Sequence, residues 1–180
     1  GKNEIDAEGE KTKKITEKLL REFPDKKWVI DAGSLQVMEK EWIPKDAILT
    51  PNKKEYEMLF GNMDPKEAAK KYNCIIVIKG PKTLIYSKDK NIIVDGGNAG
   101  LTKGGSGDVE AGLTVGLLAK NEPLVSAGAA SFFVKRTADY LMKKVGTCYN
   151  SDDLVNTIPS VMKKNMKPSI FNLSFFKNLR

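Results

Sequence analysis

The sequence predicts an α/β fold: a mainly parallel sheet flanked by helices on both faces. Three observations carry this. Short apolar runs alternate with helical patterns along the chain, which is the order of a layered α/β domain. One run, Cys74–Gly80, is apolar without alternation, as expected of a parallel strand buried on both sides. A glycine-rich stretch then leads directly into a helical pattern, as strand-to-helix connections in such folds do.

The elements follow in order. Residues 8–23 place Ile15, Leu19 and Phe23 four apart among charges, an amphipathic helix that Pro24 ends. Trp28–Asp31 is a short apolar run closing on an acid and reads as a buried strand. Ala47–Thr50 repeats that form, and Pro51 begins the next element. Asp64-Pro65-Lys66-Glu67 is a helix start, with Asp64 as cap and Pro65 in the first helical position. That helix runs to Tyr72 and feeds the strand at Cys74. Thr83–Ser87 and Asn91–Asp95, joined by Lys88-Asp89-Lys90, predict an antiparallel hairpin. A helix over about 108–120 follows the glycines, and two more are expected near 123–144 and 151–165. Residues 1–166 are expected to form one nucleotide-binding domain. Residues 167–180 hold five large apolar side chains without a period and read as a tail or interface arm.

Composition narrows the chemistry. These 180 residues contain no histidine, so imidazole bases, Ser-His-Asp triads and histidine-bearing zinc sites are excluded for this chain. Any acid–base step falls to Asp, Glu, Lys, Tyr or Cys. The net charge of +7 suits an anionic ligand such as a nucleotide. The lysines are spread over helix surfaces with no aromatic platform between them, so no nucleic-acid partner is expected. No run approaches the ~18 apolar residues of a membrane span, and the first twenty residues lack a signal-peptide pattern. Cys74 and Cys148 lie far apart and read as reduced thiols. The expected location is cytoplasmic, with no membrane partner.

The glycine stretch carries the main chemical signal. Glycines from Gly97 to Gly107 allow positive φ and close backbone approach by a ligand. Ahead of a helix they leave N–H groups turned outward, and these form an anion site with the helix dipole. Gly104, Gly105, Ser106 and Gly107 can therefore hold phosphate oxygens. Asp108, in the first turn, can accept a proton from a hydroxyl attacking that phosphate. A tight connection with Asp108 as helix cap accounts for the same residues. Thr50–Glu55 places Asn52 and Glu55 three apart near a helix start, where they can orient water and Mg²⁺ about a phosphate. An N-cap with its capping-box acid fits that spacing equally well.

Together and in this order, these motifs resemble the ribokinase-like superfamily and, within it, the ATP/ADP-dependent NAD(P)H-hydrate dehydratase family. Gly97-Asn98-Ala99-Gly100 is similar to the family's Gly-Asn-Pro-Gly. Gly104-Gly105-Ser106-Gly107-Asp108-Val109, then Ala111-Gly112, resembles its Gly-Gly-Thr-Gly-Asp end. Asp31-Ala32, Leu49 to Glu55 and Val77 to Thr83 resemble three further family segments. Ala99, Lys103 and Glu110 depart from the pattern, standing where Pro, a small or hydroxyl residue, and Leu are usual.

The resemblance implies a ribokinase-like fold, here incomplete at the N-terminal side, because the family carries further strands and glycine loops before the position of Gly1. It implies metabolite repair: the ring hydroxyl of NAD(P)H hydrate is phosphorylated by ATP or ADP, and phosphate elimination restores NAD(P)H. Asp108 would be the catalytic base and a substrate contact. Lys79, Gly80, Thr83, Asn98, Gly104, Gly105, Ser106 and Gly107 would bind the nucleotide. Asn52 and Glu55 would serve substrate and, indirectly, Mg²⁺, and Asp31 would be a substrate-side acid or, alternatively, a cap for a helix over 34–40. The implied partners are NAD(P)H hydrate, an adenine nucleotide, and a second copy or complementary chain. Two alternatives stay open: a ribokinase-like kinase of a vitamin precursor or sugar, and a non-catalytic half of a split protein.

Overall fold

The computed structural model describes residues 6–165. Among them are five strands and seven α-helices. The described residues divide into two compact units, one ending at Asn91 and the other beginning at Ile92; the tail expected over 167–180 lies outside the described residues.

In the first unit, α1 (Ala7–Glu22) starts at Asp6, whose side chain accepts the Gly9 N–H. The strands β1 (Val29–Ile30), β2 (Ile48–Leu49) and β3 (Ile75–Ile78) are parallel, in register Val29↔Ile48 and Leu49↔Ile76. The strand β4 (Thr83–Tyr86) then runs antiparallel, with Val77 opposite Ile85. All of β2 and the first three residues of β3 are buried, which accounts for their unbroken apolar sequence. The 87–90 turn forms as the hairpin pattern predicts: the Ser87 hydroxyl donates to the Lys90 carbonyl and accepts the Lys90 N–H. It leads into β5 (Asn91–Val94).

Between the parallel strands lie the crossover helices α2 (Gly33–Val37), α3 (Lys53–Phe60) and α4 (Pro65–Tyr72). Asp64 caps α4 by accepting the Lys66 and Glu67 N–H groups, and Pro65 opens it. The core of this unit is built from Ile30, Leu35, Leu49, Tyr56, Phe60, Cys74 and Ile76 with their neighbours. The helix α1 departs from its sequence pattern. Its buried residues are Thr16 and Leu20, while Ile15, Leu19 and Phe23 remain 59%, 40% and 44% exposed. Thr16 faces inward because its hydroxyl shares a hydrogen bond with Ser34 of α2. Ile15 and Leu19 instead line an open cavity of about 380 Å³ with Trp28, Val29 and Asp31.

The second unit is helical beyond β5: a 3₁₀ turn (Ala99–Thr102), then α5 (Ser106–Leu118), α6 (Pro123–Val145) and α7 (Ser151–Asn165). Pro123 in the first turn fixes the entry to α6, and Gly146 at φ 61° ends it. Asn150 and Asp153 exchange side-chain-to-backbone bonds at the start of α7. Ala138, Leu141, Tyr149 and Leu154 form the core, with Leu101 and Val109 packed on it. Among the described residues no helix is long and apolar enough to cross a membrane.

Burial pushes the Cys74 thiol from 9.0 up to about 12, and the Tyr56 phenol, buried beside the Asp64 carboxylate, from 10.0 up to about 12. Both folded-state values are raised, so the folded molecule keeps protons that the unfolded chain releases above pH 9. Their contribution is fully present below pH 9 and is lost as pH rises toward 12. Denaturant titrations from pH 8 to 12 should therefore show stability falling above pH 9. For Cys74→Ala the fall should be shallower, by up to roughly 4 kcal/mol across the window. Parallel pH profiles for the two proteins would contradict this account.

Candidate functional site

The first unit gathers its candidate residues at one end of the sheet. Asp31 follows β1, Asn52 follows β2, and Lys79 follows β3, each at the carboxyl end of a parallel strand. Ligands in open α/β sheets bind at that end. The Lys79 ammonium donates to Asp31 Oδ1 at 2.8 Å, and both side chains are mostly buried. The Lys79 N–H donates to the Pro51 carbonyl, and Asn52 and Lys79 form an isolated parallel bridge. Asp31 therefore pairs with a cation and does not cap a helix: α2 begins at Ala32 without a side-chain cap. Ala32 holds φ 51°, ψ −127°, a region that costs a residue with a Cβ ~1–3 kcal/mol.

Asn52 and Glu55 make the reciprocal cap that their spacing allows. Asn52 Oδ1 accepts the Glu55 N–H and Glu55 Oε2 accepts the Asn52 N–H, each at 2.9 Å. Gln36 Nε2 donates to the other Glu55 oxygen at 3.3 Å. Each oxygen of the buried Glu55 thus already accepts one hydrogen bond. Among the described residues no three carboxylate or thiol groups gather where they could hold a metal ion. These residues fit Mg²⁺ bound through water and nucleotide phosphates, the usual habit of that ion, and do not fit a protein cage. Gly80 is exposed, whereas Thr83 is 2% exposed at the start of β4.

The second unit brings the glycine-loop residues together. Asn98 Oδ1 accepts the Gly100 N–H at 3.0 Å and the Tyr149 hydroxyl at 2.7 Å. The Tyr149 ring occupies the space beside Gly100, where an added Cβ would lie 2.3 Å from it. Lys103 donates to the carbonyls of Thr147 and, at 2.7 Å, Tyr149. The departure at 103 is thus a brace between two loops.

Gly105 is the N-cap of α5 at φ 85°, and no side chain caps that helix. A Cβ at Gly105 would fall 2.8 Å from the Ser151 hydroxyl, so the turn is closed to larger residues on two grounds. The Ser106 hydroxyl, 95% buried by the residue's 5% exposure, and the buried Asn98 Nδ2 have no hydrogen-bond partner. Asp108 is exposed in the first turn of α5. An uncapped helix start beside two unpartnered buried polar groups can accept the oxygens of an anion.

A family model described as NAD(P)H-hydrate dehydratase matches residues 7–160. The chain belongs to the NAD(P)H-hydrate dehydratase family. It is 37% identical over 155 residues to a bifunctional NAD(P)H-hydrate repair enzyme of Methanocaldococcus jannaschii, covering 85% of this chain and 31% of that protein. It is 27% identical to the Bacillus subtilis ADP/ATP-dependent NAD(P)H-hydrate dehydratase co-crystallised with ATP/Mg²⁺ and soaked with CoA. That match has a TM-score of 0.70 and covers 77% of this chain and 56% of the other. A ribokinase-like superfamily protein of Enterococcus faecalis shares the fold at 22% identity, with a TM-score of 0.74, over 86% of this chain and 59% of its own. The fold is ribokinase-like, and the chain spans about a third to three fifths of the length of these relatives.

Two features of this family member escaped sequence reasoning. Tyr149 lies 51 residues from Asn98, and no local pattern announces their bond. Lys135 sits in α6 at 5% exposure, donating to the Gly96 carbonyl at 3.0 Å. The available signal was Lys135 itself, a charge directly following Phe132, Phe133 and Val134.

The Gly100 contact is directly testable. Gly100→Ala should displace the Tyr149 ring and destabilise the protein by ~1–3 kcal/mol through overpacking. Tyr149→Phe, which loses one hydrogen bond, should cost only about 1 kcal/mol. Thermal unfolding that ranks the two variants the other way would reject the packing role of Gly100.

Proposed function

We propose that this chain carries the nucleotide-dependent dehydration of NAD(P)H hydrate, returning NAD(P)H. The observation that carries the reading is the start of α5: a positive-φ glycine cap, no side-chain cap, and the buried unpartnered Ser106 hydroxyl. Membership of the dehydratase family supports the substrate.

In this reading the N–H groups of Gly105 and Gly107 and the Ser106 hydroxyl, with Gly104, hold the terminal phosphate of ATP or ADP; the Ser106 N–H, bonded to the Lys103 carbonyl, shapes the turn. Asn98, oriented by Tyr149, fixes the loop entrance and offers its free amide hydrogens to the nucleotide. The ring hydroxyl of the hydrate attacks the terminal phosphorus. Its O–P bond forms as the bond to the leaving nucleotide breaks, and the hydroxyl proton passes to Asp108. Asp108 suits this role because its carboxylate is exposed at the helix start. The phosphorylated ring then expels phosphate as the C–O bond breaks, and loss of the neighbouring C–H proton restores the double bond.

Within the first unit, Asp31, Asn52, Glu55, Lys79 and Gly80 stand at the strand ends. Lys79 holds Asp31 in place for substrate, and Gly80, exposed and without a side chain, lets the nucleotide approach closely. Thr83 acts through the packing of β4, since its side chain is buried. Asn52 and Glu55 would orient water about Mg²⁺, and the ion would neutralise phosphate charge.

We place the protein in the cytoplasm on the strength of its metabolite-repair family and its two free thiols. We further propose association with a second copy or a complementary chain. The exposed apolar row Ile15, Leu19 and Phe23 supports this. Sedimentation showing a monomer across micromolar concentrations would count against it.

Asp108→Asn tests the mechanism. Asparagine keeps the shape but cannot take the proton, so turnover should fall ~10²–10⁴-fold with nucleotide affinity nearly unchanged. Gly105→Val should instead weaken nucleotide binding, by strain at positive φ and collision with Ser151. If the Asn variant, in its assembled form, repaired the hydrate at the parental rate, Asp108 would be no base. Equal calorimetric affinity of the Val variant would remove the loop from the site.

A further inference from the structure

Three groups around α6 are unused by this mechanism. Lys135 is 5% exposed and donates to the Gly96 carbonyl at 3.0 Å. Glu110, 9% exposed, accepts the Ser131 hydroxyl at 2.5 Å; Ser131 lies one turn before Lys135. Gly96 and Gly97, at φ 99° and 77°, lie against the Lys135 stem: a Cβ on Gly97 would come 3.1 Å from Lys135 Cγ, and one on Gly96 would come 3.0 Å from Asp139 Oδ2.

A lysine is rarely buried this deeply without a task. Desolvation lowers its pKa, and the carboxylates of Glu110, Asp139 and Asp95 push the other way. The acid at 110 stands where the family resemblance expects leucine, so a buried carboxylate and a buried ammonium lie in one layer. A buried charge retained together with its counter-charge acts as a geometric constraint.

We propose that Lys135 is a positioning residue for the glycine loop: tied to the Gly96 carbonyl and facing the Glu110 carboxylate, it fixes both ends of the segment 96–110. That segment contains Asn98, the glycines of the α5 cap and Asp108. The constraint matters because six glycines in the fifteen positions 96–110 give the loop great freedom unless its ends are held. The role in nucleotide binding rests on the phosphate reading of the loop given above.

The test uses the full chain and amide hydrogen exchange without nucleotide, followed by calorimetry with ATP and Mg²⁺. In Lys135→Met/Glu110→Leu both charges leave together, so no lone buried charge remains. Exchange over residues 97–105 should accelerate at least tenfold, while the interior of α7 stays within twofold of the parent. ATP affinity should fall fivefold or more. A double variant whose thermal midpoint, loop exchange and ATP affinity all match the parent would overturn the proposal. So would one that loses affinity only in proportion to a general loss of protection in α7. Should that variant fail to fold, the near-isosteric Glu110→Gln serves. It should speed exchange at residues 106–110 at least threefold, and parental exchange there would equally overturn the proposal. Gly105→Val separates the two readings. If it leaves ATP affinity intact while loop exchange still responds at Lys135, the phosphate reading fails and the positioning role stands.

Discussion

The first turn of a helix has N–H groups that its own backbone cannot satisfy, and in α5 no side chain takes them up; only the Ser106 N–H is met locally, by the Lys103 carbonyl. The helices α1, α3 and α4 each begin with a side chain that accepts such a group: Asp6, Asn52 and Asp64. The helix α5 begins with a glycine that has none. An open helix start is tolerated when an anion or water supplies the acceptor. Three side chains hold the segments around that start. Lys103 braces the loop against the 147–149 carbonyls, Tyr149 holds Asn98, and Lys135 ties down Gly96.

The first unit solves a different problem. Three parallel strands end at one edge, and their carboxyl ends would present an acid and a lysine to the same small volume. Pairing them neutralises both and orients the carboxylate of Asp31. The strained backbone at Ala32 makes the sharp exit from β1 that this pairing uses. The Asn52–Glu55 cap shows how economical the arrangement is. The same hydrogen bonds that start α3 hold two polar groups still at the strand ends, so the capping and the substrate-side readings of that pair do not exclude each other.

Much of this was legible in the sequence. Unbroken apolar runs gave the parallel strands, proline and aspartate gave the start of α4, and the glycine pattern gave the loop before α5. These signals are local, set by periodicity and backbone sterics over a few residues. What the sequence withheld depends on distant partners. Nothing near Lys103 or Tyr149 says that they meet, and the roles of Glu110 and Lys135 need the α5–α6 layer to be seen. The pattern in α1 misleads for a related reason. Its apolar stripe is real, but the face turned inward carries Leu20 and Thr16, whose hydroxyl meets that of Ser34. Thr83 matches a motif by position while its side chain is taken up by packing, a distinction that a linear pattern does not contain.

Gly100 is usually explained in such loops by backbone freedom, yet here its φ is unremarkable and the missing Cβ is replaced by an aromatic ring. The two positions therefore form one solid object shared between distant parts of the chain. Natural variation at one should be correlated with variation at the other: a relative that acquires alanine or serine at 100 can keep the loop only if the ring at 149 shrinks or swings away. Whoever aligns these proteins can then use the pair as an internal ruler, because a misplaced gap between the glycine loop and α7 would break the correlation.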